Sequence, residues 1–181
     1  MGQLDGAITY LSGAIECAAD HGVGWRKQFI NLTKTNGLKI AHIDPTNKPI
    51  EGTIQSREDQ ELQTNLQSTG RFEELQQYVQ SYRHHDLRFV DYCDFMVVMI
   101  HPTIPQWGTA NEIYVAENQH KPMFFVCEGG LYKLPRWLFG VIQIKDVYTS
   151  IEEVVKQLTL IDNNTIQLNN DWVLIEAVEL H

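Results

Sequence analysis

The chain has 181 residues, 43% of them apolar and 20% charged. That is about one domain's length with an ordinary globular balance, which argues against disorder and against any need for disulfide or metal staples. Lys and Arg number 14 against 23 Asp and Glu, a net charge of −9. A general nucleic-acid binder, which neutralises phosphates with a basic surface, is therefore not expected. There is room only for a local anion site built from backbone N–H groups. The longest apolar runs, Phe95 to Ile100 and Met123 to Cys127, fall far short of the roughly 20 residues a membrane helix needs. Met1 to Asp5 shows no secretory pattern, and Gly6 stands where a myristoylation motif wants Ser or Thr. Cys17, Cys93 and Cys127 are odd in number and far apart, which points to reduced thiols in the cytoplasm.

Taken in chain order, Ala7 to Leu11 is a short β-prone run ending at Ser12-Gly13. Trp25, Phe29, Ile30 and Leu32 have helical spacing over Trp25 to Thr35, and Asn36-Gly37 is a stop signal. Leu38 to Ile43 reads as a second strand, stopped by Asp44-Pro45. Thr46 to Arg57, with Pro49 and Gly52, reads as a loop. Glu58 to Arg83 is helical with a break at Ser68-Thr69-Gly70, and Leu62, Leu66, Phe72, Leu75, Tyr78, Val79 and Tyr82 form its apolar stripe. His84 to Asp94 reads as a polar connection to the strand Phe95 to Ile100, whose uninterrupted apolar run predicts burial on both faces. A loop over His101 to Gly108 leads to a helix over Thr109 to Gln119. Met123 to Cys127 is the next buried strand, and Val141 to Val147 the fifth. Ser150 caps a helix to Leu160, with Glu153 completing a capping box. From about residue 162 a C-terminal extension, Ile166 to Leu168 and Trp172 to Ile175, adds short strands or packs across the body.

Strands alternating with helices predict a single α/β domain with a parallel sheet covered on both faces and right-handed crossovers. Ligands in such sheets bind beyond the carboxyl ends of the strands. The residues to search are therefore Ser12 to Trp25, Asp44 to Gly52, His101 to Glu112 and Cys127 to Trp137.

The sharpest of these is Gly108-Thr109-Ala110-Asn111-Glu112. Gly108 allows a tight turn, Thr109 can cap the helix, and Glu112 would sit in the first turn, where free N–H groups favour its ionised form. A carboxylate held charged beside a pocket can act as a nucleophile, and the same placement suits a helix-stabilising acid. His84-His85-Asp86 through Asp91-Tyr92-Cys93-Asp94 matches no zinc spacing, so no metal is expected. One of its aspartates suits general acid work, or caps a turn. Ser12-Gly13 permits close approach of a ligand to the backbone, and with Arg26 nearby could form an anion nest. Asp44 faces the same pocket or makes a turn. Trp107, Trp137 and Tyr132 suit stacking on a base or closing a core. No GxGxxG or Walker pattern occurs.

In order along the chain, Tyr10-Leu11-Ser12-Gly13-Ala14-Ile15 with Trp25-Arg26 behind it, Asp86 through Asp91-Tyr92-Cys93-Asp94-Phe95, Gly108-Thr109-Ala110-Asn111-Glu112-Ile113 and Lys121-Pro122 resemble the nucleoside 2-deoxyribosyltransferase superfamily. That superfamily also holds 2'-deoxynucleotide N-glycosidases. The resemblance spans roughly Tyr10 to Val126. It implies a flavodoxin-like, Rossmann-like sheet of five parallel strands and cleavage of the N-glycosidic bond of a 2'-deoxynucleoside or its monophosphate, with the sugar passed to another base or to water. By resemblance Glu112 is the nucleophile, Tyr10 orients it, and Asp86 protonates the departing base. The substrate contacts expected around these three are Ser12, Gly13, Asp44, Gln106, Trp107, Gly108 and Thr109. Transferases of this group often carry an acidic pair just before the glycine of that motif; here the pair is Gln106-Trp107, so the carboxylate contact to the sugar is either missing or replaced by Gln106. The resemblance further implies no cofactor, a small-molecule nucleoside or nucleotide as partner, and a homo-oligomer. Two other readings fit the same residues: a nucleotide-binding module without turnover, and a hydrolase of NAD-type N-ribosyl bonds.

Overall fold

Alternation along the central strands explains why their sequence is apolar without interruption. The computed structural model describes residues 2–47 and 57–174. In β3 (Phe95–Ile100), Phe95 and Val97 join one core cluster, while Met96, Val98 and Ile100 join the other. β4 (Met123–Cys127) divides likewise, with Phe124 and Val126 on one face and Phe125 and Cys127 opposite. A strand whose successive side chains both meet protein has no polar face to show. β1 (Ile8–Gly13) lies beside β3, pairing Tyr10 with Met96 and Ser12 with Val98. β2 (Ala41–Ile43) covers only the first half of β1, through Ile8, Thr9 and Tyr10. β5 (Val147–Tyr148) closes the other edge. The order β2-β1-β3-β4-β5, all parallel, is the flavodoxin-like order, with the reversal of direction between β1 and β3.

Helices cover both faces. α1 (Val23–Thr35) and α5 (Ile151–Asp162) send Phe29, Val154 and Leu158 into the first cluster. α3 (Phe72–Tyr92) and α4 (Trp107–Asn118) send Val90, Ile113 and Ala116 into the second. α2 (Arg57–Ser68) packs on α3, and Gly70, at φ 74°, makes the turn between them. No helix among the described residues is long and apolar enough to cross a membrane.

Several boundaries differ from those the sequence predicts. His84 to Tyr92 is helix, not connection: α3 runs on because Asp86 and Val90, one turn apart, are both buried. Its last carbonyls are satisfied from outside, since Lys121 Nζ donates to Val90 O at 2.7 Å, to Asp91 O at 3.1 Å and to Cys93 O. The stripe on α2 and α3 is shallower than its periodicity implies. Leu66 is buried, whereas Leu62 and Phe72 are exposed, because this pair lies outside the sheet's own cover. β2 begins at Ala41, not Leu38. The predicted fifth strand, Val141 to Val147, holds a 3-10 turn at Ile144–Asp146, and only its last residue belongs to the short strand Val147–Tyr148 that pairs with β4. Ser150 caps α5 as expected, accepting from Glu153 N at 3.3 Å. Glu153 accepts from Thr149 N at 2.7 Å, and the Ser150 backbone N–H also helps to hold its carboxylate charged. After α5 the described chain forms no strand; Ile166, Leu168 and Trp172 pack across the first cluster. Of the Thr46 to Arg57 loop, residues 48–56 lie outside the described residues, as does Ile175 of the expected tail strand.

Candidate active site

Tyr10 and Ser12 lie two residues apart on β1 and so point to one face, the face that α3 and α4 cover. Both reach Glu112 on α4. The Tyr10 hydroxyl donates to Glu112 Oε1 at 2.9 Å, and the Ser12 hydroxyl donates to Oε2. α4 begins at Trp107, not Thr109, so Glu112 lies beyond the first turn and is not held by the free N–H groups there. It is also not a capping acid, and Thr109 is no cap, being buried inside the helix. The surrounding protein pushes the Glu112 carboxyl up to about 7, and the nearby Asp86 charge adds to the rise. Hydrogen bonds from Ser12 and Tyr10 and the positive Arg26 work the other way. Burial, with the Glu112 and Asp86 charges, likewise holds the Tyr10 phenol well above its usual range. Tyr10 is thus a neutral donor at any physiological pH.

Asp86 reaches the same place from α3, and it is buried. Tyr10, Asp86 and Glu112 line one pocket of about 260 Å³ at the carboxyl end of the sheet, beside the β1–β3 reversal. Gly13, Gln106, Trp107, Gly108 and Thr109 line it too. Trp107 is 85% exposed at the rim, and a Cβ on Gly108 would meet nothing. Gly108 therefore leaves open space and is not needed for a turn.

Of the expected contacts only Ser12 and Asp44 do not line the pocket, and several also serve the surrounding fold. Ser12 is fully buried, with its hydroxyl given to Glu112. Gly13 sits in close packing, since a Cβ there would lie 3.1 Å from the side chains of both Met99 and Trp25. Gln106 spends its carboxamide on the end of β3, donating to Met99 O and accepting from His101 N, each at 2.8 Å. Asp44 accepts from Thr46 N at 2.8 Å and lies 3.7 Å from Arg26 Nε, while its neighbour Pro45 lines the pocket. Arg26 is not a free anion ligand. Its guanidinium donates to Leu11 O at 3.0 Å, Gly13 O at 3.0 Å and Gly22 O at 2.8 Å. Trp137 packs with Tyr114, ring centres 5.6 Å apart, and Tyr132 is fully exposed. Those two tryptophans, Trp107 and Trp137, flank a second, apolar groove of about 510 Å³ that neither Glu112 nor Asp86 reaches.

Ending the helix at Arg83 leaves Asp86 off the helical face it shares with three further pocket residues, none of them expected at the site from sequence. Val79, Tyr82, Arg83 and Asp86 all line the pocket at i, i+3, i+4 and i+7, a single helical face. That spacing was the available signal. Gln60 and Gln63 add a wall from α2, and the Tyr82 hydroxyl donates to Gln63 Oε1 at 3.2 Å. Arg83 donates to Asn111 Oδ1, next to Glu112. Among the described residues, no three His, Cys, Asp or Glu side chains group as metal ligands would. Such a site offers a carboxylate with two fixed donors, a second buried carboxyl group facing the same space, and a mouth edged by an indole.

No family model matches this chain, and no curated protein matches it.

Proposed function

We propose that this protein cleaves the N-glycosidic bond of a 2'-deoxynucleoside or nucleoside 5'-monophosphate, with Glu112 as nucleophile. One observation carries the reading: a carboxylate fixed at both oxygens by Tyr10 and Ser12 shares its pocket with a second carboxyl group, Asp86. Two carboxyl groups flanking one small space are what glycosidic cleavage needs. One Glu112 oxygen attacks the anomeric carbon as the bond to the base nitrogen breaks. Asp86 supplies the proton that the departing nitrogen takes up. The product is a deoxyribosyl ester of Glu112 and a free base. A water, or the ring nitrogen of a second base, then attacks the same carbon, and the Asp86 carboxylate receives its proton. The ester breaks and Glu112 returns as the carboxylate.

Charge explains the choice of groups. The sugar becomes oxocarbenium-like as the bond lengthens, and an anionic oxygen beside it lowers that barrier. The volume of the pocket suits a nucleoside, and Trp107 at its mouth offers a ring to a base. The reading carries with it a homo-oligomeric, cytoplasmic enzyme. The three free cysteines, Cys17, Cys93 and Cys127, are compatible with a reducing compartment.

The test is chromatography of a panel of deoxynucleosides and their 5'-monophosphates incubated with the protein, with and without a second free base, alongside Glu112→Ala. Free base released by the parent protein but not by the variant is the expected result. A new nucleoside appearing with the second base marks transfer, and its absence marks hydrolysis. Silence across the panel, with ligand binding retained, would favour a binding module. Release of nicotinamide from an N-ribosyl donor alone would favour the NAD-type reaction.

A further inference from the structure

We propose that Ser12 is a positioning residue: its hydroxyl, acting with that of Tyr10, fixes the orientation of the Glu112 carboxylate by holding both of its oxygens. The inference rests on the glycosidic-cleavage reading for its kinetic consequence, but not for its structural one. A glutamate's terminal torsion is broad and two-fold, so a carboxylate held at one oxygen still swings. Held at both, it keeps one plane and one approach to whatever occupies the pocket.

Three features make the clamp rigid. Tyr10 and Ser12 share one strand face, and their strand is locked to β3 by the Tyr10–Met96 and Ser12–Val98 register. Arg26 grips the carbonyls of Leu11 and Gly13, the two neighbours of Ser12. Ser12 itself is fully buried and is not among the residues lining the pocket, so it reaches a ligand only through Glu112. A hydroxyl has one proton to donate, and this one goes to Glu112 Oε2. The chemistry is that of a donor aimed at an anion, which favours the charged carboxylate over the acid. The titratable and charged groups acting on Glu112 are Tyr10 from β1, Arg26 from α1 and Asp86 from α3. Of these Asp86 opposes its ionisation and Arg26 assists it, as does the donated hydrogen bond from Tyr10.

The experiment is a pH titration of the protein carrying glutamate labelled with carbon-13 at the side-chain carboxyl, read by NMR. The Glu112 signal is identified by its loss in Glu112→Gln. Ser12→Ala is expected to raise the Glu112 midpoint by about one pH unit, a tenfold fall in the charged-to-neutral ratio at a given pH. Ser12→Thr, which keeps the hydroxyl, is expected to restore it. Should the added methyl of Thr unfold the buried site, as thermal melting would show, Ser12→Cys takes its place, with a weaker donor and a partial return. With an active substrate, Ser12→Ala lowers kcat at nearly constant KM, and the acid limb of the rate profile moves with the NMR midpoint. A midpoint unmoved in Ser12→Ala overturns the proposal. So does a rise in KM without movement of the midpoint, which would make Ser12 a substrate contact. Absence of any turnover in the parent protein would remove the glycosidic reading and leave the titration readable.

Discussion

Arg26 stands where a strand is missing. Its Nε donates to Leu11 O and its Nη2 to Gly13 O. These carbonyls continue the row on β1 that β2 occupies lower down, where Ala41 N bonds to Ala7 O. β2 pairs only as far as Tyr10, so beyond it a buried guanidinium completes the edge. Asp44, just past the end of β2, lies beside that guanidinium. The strand segment that presents Ser12 to Glu112 is thus held by a side chain from α1.

Removing Arg26 is therefore expected to be a stability defect before it is a functional one. Arg26→Ala leaves three carbonyls without their buried donor and the Asp44 carboxylate without its counter-charge, at a cost of about 3–5 kcal/mol. Arg26→Lys recovers only part of this, since an ammonium lacks the planar fork that serves several acceptors at once. Urea denaturation midpoints of the two variants test the ordering. A near-parental midpoint in Arg26→Ala would contradict the role.

Glu112 predicts a pH dependence of opposite sign to that of an acid held charged by its partners. Its folded value, about 7, lies above the usual 4.5. The folded state therefore prefers the acid form. Its contribution is full below pH 4.5 and is lost as pH rises through 7. Glu112→Gln removes that loss, so the variant gains stability relative to the parent between pH 4.5 and 8, while turnover disappears. Paired urea titrations at the two pH values check the first part. An equal difference at both would show that Glu112 ionises in the fold as it does in water.

His42 works in the other direction. Burial first, and then the charge of Lys34, hold its imidazole down to about 4. It packs edge-on against Phe29 and lies 2.9 Å from Thr33 Oγ1. Stability from the neutral ring is complete above pH 6.5 and is lost as pH falls towards 4. His42→Gln is expected to flatten this acid-side decline, read as melting temperature against pH from 7 to 4. A parental slope in the variant would assign the decline to other groups.

Asp86→Asn is expected to slow cleavage most where the base needs protonation to leave. Substrates with activated leaving groups lose far less, because they depart without a proton. Comparing kcat/KM for natural and activated deoxynucleosides tests this. Equal losses on both would mean that Asp86 shapes the pocket and does not donate the proton.

Lys121 carries a structural prediction well away from the pocket. Lys121→Met takes away the donor to Val90, Asp91 and Cys93 carbonyls at the end of α3. The expected cost is about 1–2 kcal/mol, since these carbonyls can partly turn to water. Hydrogen exchange should quicken in the last turn of α3 before anywhere else. Uniform quickening over the whole chain would refute a local cap.

Much of this molecule is legible in one dimension because local period reports which faces are buried. Phe95 to Ile100 has no polar alternate and became a central strand. Asn36-Gly37 stops α1, with Gly37 at φ 75°. Tyr10, Asp86 and Glu112 were identifiable as residues of interest from motif order, and they line one pocket. What local period does not report is the identity of the neighbour. His84 to Tyr92 is polar enough to read as a connection, and only the burial of Asp86 and Val90 on one face makes it helix. Ser12 reads as a ligand contact from its place after a strand. Yet the register of β1 on β3 and the seat of α4 above it turn its hydroxyl onto Glu112, a hundred residues away. Arg26 reads as part of an anion nest and is spent on three carbonyls, two of which, Leu11 and Gly13, lie where β2 ends too soon to pair with them. A side chain's chemical type is written in the sequence, but its hydrogen-bond partner is set by which strands and helices the tertiary structure brings within reach.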